Sequence, residues 1–315
     1  MTERPRLRLA TRGSPLARWQ ARRVADLLAA RGVEAPLVVV ETEGDRRMDV
    51  SIEAIGGQGV FVKEVQAAVV RGDADAAVHS AKDLPAAPGL QVPGLVLAAF
   101  PERADPRDLL VGAELATLAA GALVATGSAR RRVQLANLRP DLLFTGLRGN
   151  LATRLGAVDR VSAVVVAAAG VDRLGWVAPD GTPTDLLDPA FMVPQVGQGA
   201  LAVECRADDG ATTEALAALD DRSVRRAVEA ERAFLAELGA GCTLPVGAHA
   251  TDAGDGGLAL AGMVASDDGR VVLRHTGRGE HPEALGREVA RTLLDDAGGR
   301  SLGRFGPPDG RTGGR

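Results

Sequence analysis

The chain has 315 residues, of which 46% are hydrophobic and 25% charged, as is usual for a globular protein of two or three domains. Its formal net charge of −4 gives no bulk electrostatic support for binding nucleic acid or an anionic membrane. Two distant cysteines and four scattered histidines predict neither a disulfide framework nor a metal site. Because no apolar run could form a signal core or a membrane span, we expect a cytoplasmic protein.

The first hundred residues predict alternating strands and helices, which is typical of an α/β fold. Strands are expected at 6–10, 37–40 and 74–78, and helices after Ser14 and at 61–71. Ser14 is the expected N-cap of the first helix, with Pro15 at its first position. The glycine-rich stretch 43–59 lacks periodicity and is predicted to be a mobile surface loop.

The pattern starts again after residues 101–106, where we place a domain boundary. Strands are expected at 123–126, 142–147 and 163–168, with helices beginning at Arg130 and around Arg154. A strand at 200–205 is expected to rejoin the first domain, and its alternation favours a structural role for Cys205.

A third unit is predicted from residue 221 onward. It begins with a helix that Ser223 is expected to cap. Strands at 249–251, 258–264 and 271–276 and a closing helix at 282–294 follow. The tail from Gly298 is rich in glycine, proline and arginine and is predicted to be disordered.

Polar side chains follow five of the predicted strands. The clusters are Arg12 with Ser14, 79–83, 128–131, 148–154 and Arg173. In open α/β sheets the ligand crevice forms at the carboxyl ends of the strands. Arg130 and Arg131 open a helix, where the positive end of the dipole repels them unless an anion binds. The sequence therefore predicts a crevice in which guanidinium groups bind carboxylates.

Cys242 lies in the segment 239–247 (GAGCTLPVG), directly after a predicted helix. The flanking glycines predict a tight, accessible turn, although a small buried hydrophobe in that turn is the alternative interpretation. The helix C-terminus disfavours a thiolate, so this cysteine suits a strong electrophile better than a reaction that needs an ordinary activated nucleophile.

Six segments resemble the porphobilinogen deaminase (hydroxymethylbilane synthase) family and occur in the family's order. They are 10–17 (ATRGSPLA), 61–64 (FVKE), 79–85 (HSAKDLP), 148–154 (RGNLATR), 196–200 (VGQGA) and the loop around Cys242. The chain departs from the family pattern at Ala54, Gln58, Ala81, Ala240 and Leu244. Ala54 and Gln58 stand where many members have lysine, so basic loop residues are not carried over.

The resemblance implies an α/β fold of three domains, two of them resembling type II periplasmic binding-protein domains. The third would be a small α/β C-terminal domain with an antiparallel sheet, which carries the cofactor. The expected boundaries are 1–100 with 200–219 for domain 1, 105–195 for domain 2, 221–297 for domain 3, and 298–315 for the tail.

The resemblance also implies a transferase of tetrapyrrole biosynthesis. Such an enzyme condenses four porphobilinogen molecules head to tail, releasing ammonia each time, into linear hydroxymethylbilane. The chain is built on a dipyrromethane cofactor, which a thioether would join to Cys242. We expect a cytoplasmic monomer with a small-molecule substrate and with no metal, nucleic acid or membrane partner.

Site residues follow from the same resemblance. Asp83 is the expected catalytic residue, as a carboxylate that stabilises the cationic azafulvenium left when ammonia departs, and secondarily as a proton-transfer group. The cofactor-binding residues would be Cys242, Lys82, Asp83, Ser128, Arg130, Arg131 and Arg154. The substrate-binding residues would be Arg12, Ser14, Arg148, Asn150, Arg173, Gln198 and Phe61.

Two other classes of protein remain open on the residues alone. A solute-binding protein would use the two-domain clamp without chemistry and would release no product from porphobilinogen. A cysteine-dependent acyl-transfer or redox enzyme would need a base near Cys242, and none of the four histidines is locally paired with it.

Overall fold

The computed structural model describes residues 5–42, 62–239, 244–254, 256–302 and 305. The predicted loop 43–59, Phe61 and Cys242 lie outside the described residues.

The described chain forms strands and helices in mixed α/β order. The strands are β1 (Leu9–Arg12), β2 (Leu37–Val40), β3 (Ala76–Ser80), β4 (Leu95–Ala99), β5 (Asp108–Val111), β6 (Leu123–Ala125), β7 (Leu143–Thr145), β8 (Ala163–Ala167), β9 (Thr184–Leu187), β10 (Leu201–Arg206), β11 (Val246–Asp252), β12 (Leu258–Ala265) and β13 (Val272–Gly279). The α-helices are α1 (Pro15–Ala29), α2 (Lys63–Val70), α3 (Ala129–Leu138), α4 (Leu151–Leu155), α5 (Ala168–Arg173), α6 (Gly210–Ala217), α7 (Arg222–Glu237) and α8 (Pro282–Arg291).

Two five-stranded sheets share one topology. The first has the strand order β2-β1-β3-β10-β4 and the second β7-β6-β8-β5-β9. In each, the first three strands pair in parallel. The fourth position holds an antiparallel strand, β10 or β5, so the fifth strand, β4 or β9, again runs in the direction of the first three. The carboxyl ends of the three parallel strands therefore lie at one edge of each sheet.

The chain crosses between these sheets twice, through residues 100–107 and 188–200. The two crossovers lie side by side, because Arg103 and Ala200 form an isolated antiparallel bridge and the amide of Ala104 donates to the carbonyl of Gly199. Strand β10 then returns to the first sheet, as the sequence predicted, pairing Leu201 with Ser80.

The third sheet is antiparallel, in the order β11-β12-β13, and α7 and α8 cover it. Apolar residues at helical spacing on α7, among them Val228, Phe234 and Leu235, are buried. Gly262 on β12 permits the close approach, since a Cβ there would lie 2.7 Å from the Phe234 ring. The antiparallel C-terminal sheet predicted from the sequence is confirmed.

Several local predictions need correction. Asp221, and not Ser223, caps α7, because its carboxylate accepts from the amides of Ser223 and Val224. Strands β4, β5 and β9 and helix α6 were not predicted, since they are short or carry little alternation. The ordered chain also passes Gly298, where the disordered tail was expected to begin. Residues Gly299–Leu302 form a 3₁₀ turn, and Phe305 is buried against the C-terminal core.

Candidate active site

Lys82 and Asp83 lie at the carboxyl edge of the first sheet. They occupy a single 3₁₀ turn, Ala81–Asp83, that follows β3 directly. Gly197 of the second crossover lies against this turn at φ +70, and a Cβ there would be 3.0 Å from the Lys82 amide nitrogen. The crossover therefore supports the turn from behind. His79, by contrast, is buried within β3, where its Nε2 lies 3.1 Å from Glu204 Oε2.

The second sheet brings its own cluster to the corresponding edge. Ser128 caps α3, with its hydroxyl accepting from the Arg131 amide at 3.5 Å, and Asn150 caps α4 through the Thr153 amide at 3.0 Å. Arg154 is half-buried and donates through Nε to the Gly149 carbonyl at 2.8 Å. Arg148 is exposed, and its side chain has no polar partner among the described residues.

The two clusters face each other closely enough to interact electrostatically. Burial lowers the pKa of Lys82 to about 8, an effect that Asp83 opposes and that Arg131 and Arg154 reinforce. Burial also lowers the pKa of Arg154, and the charges of Arg131 and Arg148 act in the same direction. Such mutual repulsion indicates a crevice with an excess of positive charge.

Asp108 is a residue that the sequence reasoning missed. It begins β5, and its side chain is fully buried between Arg130 and Arg131. Arg130 Nη1 lies 2.8 Å from Oδ2, and Arg131 Nη2 lies 2.8 Å from Oδ1. Burial alone would raise the pKa of Asp108, but the two guanidinium charges hold it below its usual range.

The remaining donors of both arginines are largely used by the protein itself. Arg130 Nη1 donates to the Val193 carbonyl at 2.7 Å, and Arg131 Nη1 to the Val165 carbonyl at 3.0 Å. Basic residues at a helix start imply a nearby anion. The Asp108 carboxylate supplies part of that negative charge. A signal was present in the sequence, because an aspartate beginning a buried apolar strand needs a cationic partner.

The predicted substrate residues divide between the crevice edge and the interior. Ser14 caps α1, accepting from the Ala17 amide at 3.2 Å, and Arg12 ends β1 half-buried. Arg173 is buried, donating to the Gly199 carbonyl at 2.7 Å. Gln198 is fully buried and donates to Asp108 Oδ1 at 2.9 Å. Gln198 therefore supports the arginine pair from inside the protein.

Glu231 on α7 connects the third sheet to both crossovers. Its fully buried carboxylate pairs with Arg103 at 2.7 Å and accepts from the Gly197 amide at 2.7 Å and from the Ala250 amide at 2.9 Å.

The described chain on either side of Cys242 stops at Gly239 and resumes at Leu244. A Cβ on Gly247, at the start of β11, would lie 3.2 Å from Arg130 Cδ. The chain that leaves the cysteine loop therefore packs directly beside the arginine pair. Cys205 is buried in the core of the first sheet, and burial raises the pKa of its thiol.

The described residues contain no cluster of three or more histidine, cysteine, aspartate or glutamate side chains able to hold a metal ion. None of their helices combines the length and apolarity that a membrane span requires.

In comparison with known proteins, the matching family models and the relatives carry the same family name. The family model described as "Porphobilinogen deaminase, dipyromethane cofactor binding domain" matches residues 7–214, and "Porphobilinogen deaminase, C-terminal domain" matches 225–295. A porphobilinogen deaminase of Acidothermus cellulolyticus is 46% identical over 299 residues, covering 91% of this chain and 88% of the relative. That of Syntrophus aciditrophicus is 46% identical over 306 residues, covering 94% and 97%.

Solved structures with a partly similar arrangement include two proteins of low sequence identity. The lipoprotein Tp32 from Treponema pallidum has a TM-score of 0.42 and 13% identity, covering 71% of this chain and 94% of that protein. The methionine binding protein MetQ has a TM-score of 0.40 and 12% identity, covering 68% and 89%.

The fold and the crevice define an α/β protein with a cationic cleft between two sheets of the same topology. The family models and the relatives show more. The chain belongs to the porphobilinogen deaminase family, transferases of tetrapyrrole synthesis that carry a dipyrromethane cofactor.

Proposed function

We propose that this chain joins four porphobilinogen molecules head to tail, releasing ammonia at each step, to give linear hydroxymethylbilane on a dipyrromethane bound to Cys242. The observation that carries the proposal, beside family membership, is the convergence of Lys82 and Asp83 with Arg131, Arg148 and Arg154 from the opposite sheet. A chain of pyrroles bearing acetate and propionate groups is a polyanion and needs such a cationic crevice.

The described residues fit a dipyrromethane with carboxylate side chains. The crevice has more cations than acids, and Arg130 Nε is buried without a hydrogen-bond partner among the described residues. Lys82, Ser128, Arg130, Arg131 and Arg154 would hold the cofactor carboxylates. When bound, the dipyrromethane supplies the pyrrole carbon to which the first porphobilinogen is joined.

The arginines differ in how many of their hydrogen-bond donors the protein already uses. Arg130 and Arg131 are fixed by Asp108, so they present charge from rigid positions with few spare donors. Arg154 uses only Nε within the described chain, which leaves its two terminal nitrogens to form a bidentate contact with a carboxylate. Arg148 is the second candidate for such a contact, because it is exposed and has no partner there.

Asp83 is the group that acts on the reacting atoms. Its carboxylate accepts pyrrole N–H bonds and stabilises the azafulvenium cation that porphobilinogen becomes when ammonia leaves. The Asp83 charge acts on Lys82 and Arg154, so its first role is electrostatic stabilisation and its second is proton transfer. Residues assigned to the substrate are Arg12, Ser14, Arg148, Asn150 and Arg173, with Gln198 acting through Asp108; Phe61 completes the assignment from the family pattern.

Three domains would carry this activity, with the boundaries expected from the sequence: 1–100 with 200–219, 105–195 and 221–297. Separate apolar cores under the three sheets support the division. We assign the enzyme to the cytoplasm as a monomer that needs no metal and no nucleic acid. The net charge of −4 and the low cysteine content support that assignment.

A turnover measurement tests the proposal. The purified protein is incubated with porphobilinogen, and substrate, ammonia and the linear tetrapyrrole are quantified together. We expect four porphobilinogen molecules consumed and four ammonia molecules released for each tetrapyrrole. Tight binding of porphobilinogen without release of ammonia would contradict the proposal and favour a solute-binding protein.

A further inference from the structure

A cavity of about 410 Å³ lies where α1 meets α5, at the junction of the first two sheets. Its walls are formed by Gly13, Pro15, Arg18, Trp19, Arg22, Arg173 and Leu174. We call it the Arg18–Arg22 groove. It adjoins the crevice, since Gly13 lies between Arg12 and Ser14, both of which are assigned to the substrate.

The groove carries positive charge that the described residues do not neutralise. Arg18 and Arg22 stand one turn apart on α1, both are exposed, and neither side chain has a polar partner among the described residues. Like charges at this spacing on a helix destabilise it slightly. The neighbouring Arg23 differs, because it pairs with Glu102 at 2.8 Å. Among the described residues, none that lines the groove is acidic.

Arg173 adds an unsatisfied donor to the same wall. Its side chain is 7% exposed, and its Nε is buried without a hydrogen-bond partner among the described residues. An unpaired buried donor on a charged group is costly, and an anion that accepts from it removes that cost. Trp19 supplies an aromatic surface beside it, with the guanidinium carbon 5.5 Å from the ring centroid.

From these observations we infer that the Arg18–Arg22 groove is an outer subsite that takes a carboxylate-bearing pyrrole ring. This inference rests on the proposed function. Arg18 and Arg22 bind the acetate and propionate groups, Arg173 Nε donates to one of them, and the ring lies near Trp19. The ring belongs either to an arriving porphobilinogen or to the end of the growing chain as it leaves the crevice.

The test is a double variant, Arg18→Gln with Arg22→Gln, compared with a charge-retaining Arg18→Lys with Arg22→Lys. Neither arginine makes a contact within the described residues that folding would need. Arg31→Gln is the matched control, because Arg31 is an exposed arginine just beyond α1 whose side chain, among the described residues, hydrogen-bonds only to the Leu27 carbonyl. Steady-state turnover of porphobilinogen and the mass of enzyme-bound intermediates are measured at low and at high ionic strength.

If the groove captures substrate, the glutamine variant should raise KM roughly three- to ten-fold at low ionic strength with kcat unchanged, and the difference should vanish in high salt. If it holds the growing chain, kcat should fall instead and enzyme-bound intermediates should accumulate. In either case, KM, kcat and the enzyme-bound intermediates of the lysine variant should stay close to those of the wild-type protein, because both charges are kept.

Kinetics and salt dependence indistinguishable from those of Arg31→Gln would overturn the inference and leave the proposed function intact. Failure of the wild-type protein to consume porphobilinogen would overturn both together.

Discussion

Asp83 shows how one carboxylate can serve a crevice that is otherwise cationic. It follows β3 on a single turn that Gly197 supports from behind, and its charge acts on Lys82 and Arg154. A fixed negative charge among cationic side chains is suited to a cation that develops during the reaction, because little reorganisation is needed.

The first prediction concerns this charge. Asp83→Asn keeps the shape of the side chain and one acceptor oxygen, so porphobilinogen should still bind through the arginines. Single-turnover deamination should fall by a factor of about 100 to 1,000, the usual cost of one preorganised electrostatic group. Asp83→Glu should retain more activity than Asp83→Asn, because the charge survives one methylene further out.

Both variants must first be shown by mass to hold the cofactor. Wild-type rates in Asp83→Asn would make Asp83 a structural residue only. Equal loss in both variants would mean that position outweighs charge.

Lys82 gives a pH-dependent prediction. Burial lowers its pKa to about 8, so the ammonium form predominates below that pH and the charge is lost as the pH rises through it. Because the charged form binds carboxylates, kcat/KM for porphobilinogen should fall as the pH rises through about 8. In Lys82→Gln, kcat/KM should be lower below that pH and this part of the decline should disappear.

Lys63 provides the control, as the only other lysine in the sequence and an exposed residue of α2. Lys63→Gln should reproduce the wild-type pH profile. A Lys82→Gln profile that keeps the same decline would assign the titration to another group or to the substrate amine.

At the scale of elements, β5 and α3 are held together by one buried charge cluster. Asp108 begins the strand, Arg130 and Arg131 begin the helix, and Gln198 from the second crossover completes the contacts. Two guanidinium groups around one carboxylate leave net positive charge at the floor of the crevice. The cluster therefore combines a structural and an electrostatic function.

Asp108→Asn should destabilise the protein by about 3–5 kcal/mol, because it leaves two buried arginines without their counter-charge. Asp105→Asn is the control, since Asp105 is partly exposed and pairs with Arg107, and it should cost about 1 kcal/mol or less. Urea unfolding of both variants measures the difference.

Arg130→Lys and Arg131→Lys should also impair function, because a lysine cannot reproduce several directed contacts at once.

Equal stability of Asp108→Asn and Asp105→Asn would contradict this account of the cluster.

The sequence predicted the elements that carry strong local signals. Ser14 before Pro15 correctly located the start of α1, and α3 begins at Ala129, one residue before the predicted start at Arg130. The partners of Arg130 and Arg131 could not be predicted, because Asp108 lies on a short strand whose pairing with β8 and β9 depends on tertiary contacts. The cap of α7 was assigned two residues too late, since Ser223 and Asp221 are both good capping residues.

At the scale of the whole molecule, two sheets of equal topology meet through paired crossovers, and a third unit is fixed to those crossovers by Glu231. The return of β10 to the first sheet was expected from the sequence and is confirmed by its pairing with β3. The role of Glu231 was not expected, because its three partners come from distant parts of the chain.

This arrangement brings the strand that follows the cysteine loop beside the arginine pair, with Gly247 against Arg130. The central claim is that the crevice is completed by a dipyrromethane held on Cys242. The attachment needs a covalent bond at one of the two cysteines, and Cys205 is buried in the core of the first sheet.

The most direct test is the mass of the denatured, catalytically active protein. The account predicts a mass above that of the polypeptide by one dipyrromethane, lost in Cys242→Ser and retained in Cys205→Ser. An active enzyme with the mass of the bare polypeptide, or an adduct that survives Cys242→Ser, would contradict it.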